Sequence, residues 1–149
     1  MRKVLVTGAS GFIAEHCIIE LLKNNYSVKG SLRSMNREQE VREAIKTEID
    51  DANLEFCKLD LLKDDGWEDA MQDCEFLMHV ASPFVIEDPK DENELIKPAK
   101  EGTLRALNAA KKARIKRVVI TSSVAAINSH MMSGKCDHNT WTDINSKYV

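Results

Sequence analysis

The sequence predicts an α/β fold, a doubly wound parallel sheet of about five strands with helices on both faces. Short apolar runs alternate along the chain with segments whose apolar residues recur at helical spacing, which is typical of parallel sheets. The strand-like runs are continuously apolar, and this pattern fits strands that are buried on both faces. At 149 residues the chain has the length of one domain.

The predicted elements follow the order βαβαβαβαβ. The strands are predicted at residues 3–8, 27–34, 54–61, 75–82 and 116–123. The helices are predicted at residues 11–24, 36–49, 66–74 and 93–115. Asn36 is of a type that caps helices, so we expect it to cap the second one. Residues 129–149 are polar and irregular.

The composition limits the classes of partner. Hydrophobic residues make up 43% and charged residues 30% of the chain, and the net charge is −3, which gives no general attraction to nucleic acid or anionic membranes. No apolar run approaches the roughly 18 residues of a membrane span, so we expect a cytoplasmic protein. The four cysteines are scattered, and Cys136 and His138 have only His130 nearby, so no metal site is predicted.

The stretch VLVTGASGFIAEH, residues 4–16, joins the first strand to the first helix through two glycines. Gly8 permits a tight turn off the strand, and Gly11 lacks a Cβ, so a diphosphate can approach the backbone. The amides at the start of the helix favour such an anion, and Ala14 lets the helix pack near the strand. This G-x-x-G-x-x-A arrangement predicts dinucleotide binding in a Rossmann-type sheet of order 3-2-1-4-5. The alternative is a turn that serves packing alone.

The end of the second strand bears on the choice of dinucleotide. An acidic residue there would bond the ribose hydroxyls of NAD, but residues 31–34 read Ser-Leu-Arg-Ser. Arg33 has a guanidinium suited to a 2′-phosphate, which favours NADP over NAD. The alternative for Arg33 is a solvated surface side chain.

The chain resembles the extended short-chain dehydrogenase/reductase superfamily, and within it the dihydroflavonol reductase-like and cinnamoyl-CoA reductase-like branch. The resemblance extends over all 149 residues. The motifs that carry it are VTGASGFIA (6–14), LR (32–33), KLDL (58–61), HVASPF (79–84), EGT (101–103) and VVITSSVAAIN (118–128).

The resemblance implies a cofactor site at the carboxyl ends of the strands. It assigns the diphosphate to the first turn, the adenine to the end of the third strand, and the ribose and nicotinamide to the ends of the fourth and fifth. The implied cofactor-binding residues are Thr7, Gly8, Ser10, Gly11, Phe12, Ile13, Arg33, Asp60, Leu61, Val80, Ala81, Ser82, Thr121 and Ser122. Asp60 has an alternative role, which is to cap the end of its strand.

The resemblance also implies catalytic and substrate residues. Ser123 would hydrogen-bond the carbonyl oxygen of a small-molecule substrate, beside a Tyr-x-x-x-Lys pair that assists proton transfer. Asn128 would contact substrate hydroxyls, although a loop asparagine has many other uses. Pro83 and Phe84 would form an apolar wall of the pocket, and Phe84 could equally belong to the core.

One part of the family pattern is missing. The sequence has two tyrosines, Tyr26 and Tyr148, and neither is followed by a lysine four positions later. We therefore expect residues 1–149 to be the NADP-binding half of a reductase without its substrate domain. Such a half should bind NADP(H) weakly, reduce no carbonyl compound alone, and associate through the edge of its fifth strand. The full-length protein is expected to form a homodimer.

Two other functions remain open from the sequence. One is an NAD-dependent sugar-nucleotide epimerase or dehydratase, against which Arg33 and HVASPF argue. The other is a nucleotide-sensing protein without catalysis. The missing Tyr-x-x-x-Lys favours it, and the presence of Ser123 argues against it.

Overall fold

The computed structural model describes residues 1–83, 91–128 and 134–146. Five strands form one sheet: β1 (Lys3–Val6), β2 (Ser27–Leu32), β3 (Leu54–Lys58), β4 (Phe76–His79) and β5 (Arg117–Ile120). The helices are α1 (Phe12–Lys23), α2 (Glu38–Lys46), α3 (Trp67–Met71), α4 (Asn93–Lys112) and α5 (Ala125–Asn128). No helix in these three stretches is long and apolar enough to cross a membrane.

The strand order is β3-β2-β1-β4-β5, and every pair of neighbours is parallel. The predicted fold class and strand order are therefore confirmed. The direction of strand addition changes at β1. β2 and β3 follow on one side of it, and β4 and β5 lie on the other. In sheets of this kind ligands bind where the carboxyl ends of the strands face such a switch point.

Two apolar cores lie on opposite faces of the sheet. The side chains of α1 and α2 pack on one face, and those of α3 and α4 pack on the other. The first core contains Val4, Val6, Ala14, Ile18, Leu22, Val28, Val41 and Ile45. The second contains Leu5, Leu59, Trp67, Ala70, Met71, Leu77, Ala106 and Ala109. This two-sided burial is the physical reason why the strands read as continuous apolar runs.

Several elements are shorter than the sequence predicts. β1 ends at Val6 and β4 at His79, because the following residues turn into the site. The prediction that Asn36 caps α2 is wrong. Asn36 lies inside a short 3₁₀ turn, Met35–Arg37, and α2 begins after Arg37 without a side-chain cap. The single helical turn α5 was not predicted.

β5 lies at one edge of the sheet and is the most exposed strand. Its residues Val119 and Ile120 are 48% and 43% exposed, whereas β1 is almost fully buried. An exposed edge strand can pair with another chain. Association through β5 stays a prediction.

Candidate functional site

A cleft of about 810 Å³ opens at the carboxyl ends of β1 to β4. Most of the predicted cofactor and substrate residues line it: Thr7, Gly8, Ser10, Gly11, Phe12, Ile13, Arg33, Asp60, Leu61, Val80, Ala81, Ser82 and Pro83. A smaller groove of about 360 Å³ lies near the amino ends of β4 and β5 and contains none of the predicted residues. The sheet thus brings together residues that are up to 76 positions apart, from Thr7 to Pro83.

The turn between β1 and α1 has the backbone geometry that the glycines were expected to allow. Gly8 has a φ of +74°, in the left-handed region that favours glycine. A Cβ on Gly8 would lie 3.0 Å from the Cβ of Ala81, so the turn packs directly against the end of β4. A Cβ on Gly11 would meet only the carbonyl oxygen of Gly8, at 3.3 Å, within a 4 Å radius. The cleft therefore reaches the backbone at Gly11.

The first turn of α1 supplies hydrogen-bond donors to the cleft. The helix begins at Phe12, and its N-cap residue Gly11 has no side chain to bond the first amides. The initial amides of a helix have no partner within it, and the helix dipole adds partial positive charge there. Phe12 and Ile13 are 77% and 55% exposed at this end. This local structure fits a diphosphate group.

The hydroxyl of Thr7 joins the ends of β1 and β4. Its oxygen lies 3.0 Å from the backbone nitrogens of Val80 and of Ala81, and both amides donate to it. It also lies 3.0 Å from Nδ1 of His79. A hydroxyl oxygen has two lone pairs, and the two amides occupy both. Thr7 must therefore donate its own hydrogen to Nδ1 of His79.

This arrangement sets the chemical state of His79. Nδ1 accepts a hydrogen bond, so the imidazole is neutral and carries its proton on Nε2. His79 is 3% exposed, and burial lowers the pKa of its imidazole below the ordinary value. Its ring also packs against that of Trp67 in a T-shaped arrangement, with 6.3 Å between the ring centroids. The geometry and the lowered pKa agree on a neutral side chain.

Ser31 holds the turn to β2 on the other side. The amide of Gly8 donates to Oγ of Ser31 at 3.1 Å, and the amide of Ala9 donates to its carbonyl oxygen at 2.8 Å. Gly30, the preceding residue, leaves room for Ala9, because a Cβ there would lie 2.9 Å from the Cβ of Ala9. The glycine turn is thus fixed from β2 and from β4 together.

Arg33 and Asp60 stand at the ends of β2 and β3. Arg33 is exposed and lines the cleft, and the described residues give it no ion-pair partner. Its guanidinium is available for an anion there. One carboxylate oxygen of Asp60 accepts the amide of Leu62 at 3.0 Å, as in a turn cap, while the residue still lines the cleft. The geometry therefore allows both roles considered for Asp60.

Helix α4 contributes a wall that the sequence analysis did not include. Glu94, Leu95 and Pro98 line the cleft. Further along the helix, Gly102 permits close approach, since a Cβ there would lie 2.9 Å from side-chain atoms of Leu61. The apolar periodicity of α4 was visible in the sequence, but it could not show which turn faces the cleft.

The residues predicted at the end of β5 stand apart from the cleft. Thr121, Ser122 and Ser123 are exposed, and neither they nor Asn128 line the cavity. Oγ of Ser123 accepts the amide of Ala125 at 3.2 Å. Phe84 lies outside the described residues. The cavity therefore gathers the predicted cofactor residues at the ends of β1 to β4, but not Thr121 and Ser122 at the end of β5, nor the catalytic candidate Ser123.

Besides the α4 residues, the sequence analysis missed Ser31 and His79, which hold the glycine turn and the end of β4 by buried hydrogen bonds. The one signal for each was a polar residue type inside an otherwise apolar strand. Both are at most 3% exposed, so each needed a hydrogen-bond partner. The sequence could not identify that partner.

No group of three potential metal-ligating side chains comes together within residues 1–83, 91–128 and 134–146. The cysteines are dispersed, with Cys74 buried, Cys17 and Cys57 half-buried and Cys136 exposed. Burial raises the pKa of the Cys57 thiol to about 11, which keeps it protonated at neutral pH.

The sequence profile of the NAD dependent epimerase/dehydratase family matches residues 4–145. The chain belongs to this family. The match spans the glycine turn, the ends of β2 to β4 and the end of β5. It confirms the resemblance to the extended short-chain dehydrogenases/reductases.

Two relatives show which branch of the family this chain is similar to. A bifunctional dihydroflavonol 4-reductase/flavanone 4-reductase from Malus domestica is 33% identical over 145 residues, covering 96% of this chain and 42% of that protein. A cinnamoyl-CoA reductase from Medicago truncatula is 40% identical over 125 residues, covering 83% of this chain and 38% of that protein. The chain spans less than half the length of these relatives.

Solved structures of the family share the fold. The NADPH complex of the yeast methylglyoxal/isovaleraldehyde reductase Gre2 superposes with a TM-score of 0.82 at 31% identity, over 97% of this chain and 45% of that one. Vestitone reductase from alfalfa (Medicago sativa) gives a TM-score of 0.72 at 27% identity, over 96% of this chain and 43% of that one. Both of these relatives are reductases.

Proposed function

We propose that this chain forms the NADPH-binding portion of a carbonyl reductase of the dihydroflavonol reductase-like branch. The observation that carries the proposal is the cleft itself. A glycine turn without side chains, a helix N-terminus and Arg33, which has no ion-pair partner in the part of the chain that the structure describes, converge there, at the switch point of the sheet. The cofactor of the yeast structure and the names of the reductase relatives support the same activity.

The residues of the cleft fit the parts of the cofactor in turn. The amides of Ser10, Phe12 and Ile13 would hold the diphosphate, because the backbone is open at Gly11, whose own amide donates to the carbonyl oxygen of Gly8. Arg33 would hold the 2′-phosphate. Asp60 and Leu61 would flank the adenine, and residues 80–82 would line the nicotinamide side. Thr121 and Ser122 complete the proposed contacts from β5.

The chemistry proposed is the reduction of a ketone or aldehyde. When bound, the cofactor supplies the hydride. The chain's own contribution at the reacting carbonyl is Ser123, whose hydroxyl would donate a hydrogen bond to the substrate oxygen and stabilise its developing negative charge. Asn128, Pro83 and Phe84 are proposed to contact the substrate.

The choice of NADPH over NADH is tested by titrating the chain with each nucleotide in a calorimeter. Arg33→Gln should weaken NADPH binding on the order of tenfold and leave NADH binding unchanged, because the guanidinium would contact only the 2′-phosphate. Arg117→Gln, an arginine at the opposite end of the sheet, is the matched control. Equal affinities of wild type and Arg33→Gln for NADPH would reject the assignment.

Activity is tested separately. The 149-residue chain should consume no NADPH with aldehydes or ketones, because its sequence holds no Tyr-x-x-x-Lys pair to assist proton transfer. NADPH consumption that disappears in Ser123→Ala would contradict this expectation. Joining the chain to the complementary portion of a reductase relative should yield turnover that depends on Ser123.

A nucleotide-sensing protein without catalysis is the second candidate. The dinucleotide cleft alone would suffice for such a role. Ser123 argues against it, since a sensor has no need of a carbonyl-binding hydroxyl. Turnover in the joined protein would exclude a sensor. NADPH binding without turnover there would favour it.

A further inference from the structure

We propose that His79 is a positioning residue for the dinucleotide turn, which it holds in the binding geometry only while its imidazole is neutral. The inference rests on the proposed function, because it concerns affinity for the same cofactor. Its basis is the hydrogen bonding around Thr7, which connects His79 to the backbone that lines the cleft.

The first step is the direction of each hydrogen bond. Thr7 Oγ1 accepts from the amides of Val80 and Ala81 and donates to Nδ1 of His79, with all three separations at 3.0 Å. If Nδ1 carried a proton, Thr7 would face three donors with two lone pairs. At least one of the backbone amides would then lose its acceptor.

The second step connects those amides to the cleft. Val80 and Ala81 line it, and Ala81 is the residue against which Gly8 packs. Gly8 and Ala81 pack so closely that there is no room for a Cβ between them. A shift of a few tenths of an ångström at Ala81 would therefore move the glycine turn as well. The turn in turn fixes the amides proposed to hold the diphosphate. His79 thus acts on the cofactor site through Thr7 and Ala81 without lining the cleft.

The third step is the set of charges around His79. On β1 it contacts the hydroxyl of Thr7, on α3 the ring of Trp67, and on β5 its register partner is Ile120. None of these groups titrates between pH 4 and 9. The carboxylate of Glu68 on α3 pairs with Lys112, and Arg105 of α4 pairs with Asp64 and Glu101. Burial alone lowers the pKa of His79, with no contribution from a charged neighbour.

The test compares the wild type with two variants. His79→Asn keeps an acceptor, since its amide oxygen can take the hydroxyl hydrogen of Thr7, but it does not titrate. His79→Leu removes the acceptor. Affinity for NADH is measured by calorimetry, because NADH lacks the 2′-phosphate and its diphosphate keeps its charge from pH 5 to 8. NADPH is measured in parallel.

At pH 7.5 we expect His79→Leu to bind about tenfold more weakly than wild type, the size of one lost buried hydrogen bond, and His79→Asn to bind within twofold. As the pH falls below about 6.5, wild-type affinity should drop relative to that of His79→Asn, because protonation of the imidazole removes the acceptor. A purely structural role would not make the two pH profiles diverge. Parallel profiles would overturn the proposal.

A second measurement does not depend on binding. In the ¹⁵N spectrum of the imidazole, Nδ1 of the folded chain at pH 7.5 should be unprotonated and Nε2 protonated. A proton on Nδ1 would overturn the inference even if NADPH binds. A wild-type chain with the expected tautomer but no affinity for either nucleotide would instead reject the proposed function. That result would overturn the role of His79 in binding as well.

Discussion

The ends of β1 and β5 differ although both carry a threonine directly after the strand. Thr7 after β1 is 1% exposed, and its hydroxyl makes three hydrogen bonds, to His79 of β4 and to the two residues that follow it. Thr121 after β5 is exposed, and its amide donates to the carbonyl oxygen of His79. The same residue type after a strand is therefore fixed by side-chain hydrogen bonds where strands lie on both sides of it, as at Thr7, and is left exposed at the edge of the sheet, as at Thr121.

The same difference separates the two halves of the proposed site. The cofactor half lies between β2, β1 and β4, where the backbone is fixed by buried groups. Ser123 lies at the sheet edge, where its hydroxyl, among the described residues, bonds locally to Ala125. Buried hydrogen bonds cost much when broken and exposed ones cost little. Four predictions use that difference, from the largest expected effect to the smallest.

Thr7→Val should reduce the free energy of unfolding by ~3 kcal/mol, because the isosteric side chain leaves two amides and an imidazole nitrogen without their partner. Thr121→Val is the matched control at the exposed strand end and should cost less than about 0.5 kcal/mol. Urea denaturation followed by circular dichroism measures both. Equal losses in the two variants would show that enclosure of the hydroxyl is unimportant.

Gly8→Ala should cost ~2 kcal/mol and abolish measurable dinucleotide binding, because a left-handed backbone strains alanine and the new Cβ meets Ala81. Gly66→Ala is the matched control, since Gly66 has a φ of +82° outside the glycine turn. It should lose similar stability but keep the affinity of the folded fraction. Tight binding by Gly8→Ala would refute the role of the turn.

Acid should destabilise the wild type more steeply than it does His79→Asn. The pKa of His79 is lowered in the folded chain by burial, so the unfolded chain binds more protons below about pH 6.5. The stabilisation is complete above that pH and is lost as the pH falls through the folded-state pKa. His138→Asn, which removes an exposed histidine, is the control. The free energy of unfolding of the wild type and of both variants is measured from pH 8 to 4.5. Equal slopes of that free energy against pH in all three proteins would contradict the prediction.

Ser123→Ala should change the free energy of unfolding by less than about 1 kcal/mol, because the bond that the hydroxyl makes within the described residues is to an exposed backbone amide. The same denaturation experiment measures the change. Ser31→Ala is the buried counterpart, and it should cost more because the amide of Gly8 then lacks an acceptor. A larger loss at Ser123 than at Ser31 would reverse the comparison between the sheet edge and its centre.

Much of the fold follows from local patterns. The apolar runs and the glycine spacing predicted the parallel sheet, its order and the turn that opens the cleft. The predicted ends of helices and strands were less accurate. At Asn36, for example, the chain forms a 3₁₀ turn where a helix cap was expected. The ends of strands are decided by pairing and by the site, and neither is visible in a window of a few residues.

The sequence by itself determined what lies at the ends of the first two strands. The first is followed by glycines and the start of a helix, and the second by an arginine without a nearby acidic residue. Those features depend on residue type and on short spacing. Only the tertiary structure decided that Thr7 bonds His79, that Ser31 holds Gly8 and that α4 walls the cleft. These contacts join residues 23 to 72 positions apart, as in the bonds from Gly8 to Ser31 and from Thr7 to His79. Such pairings are set by strand register and burial across the sheet, and a local sequence pattern contains neither.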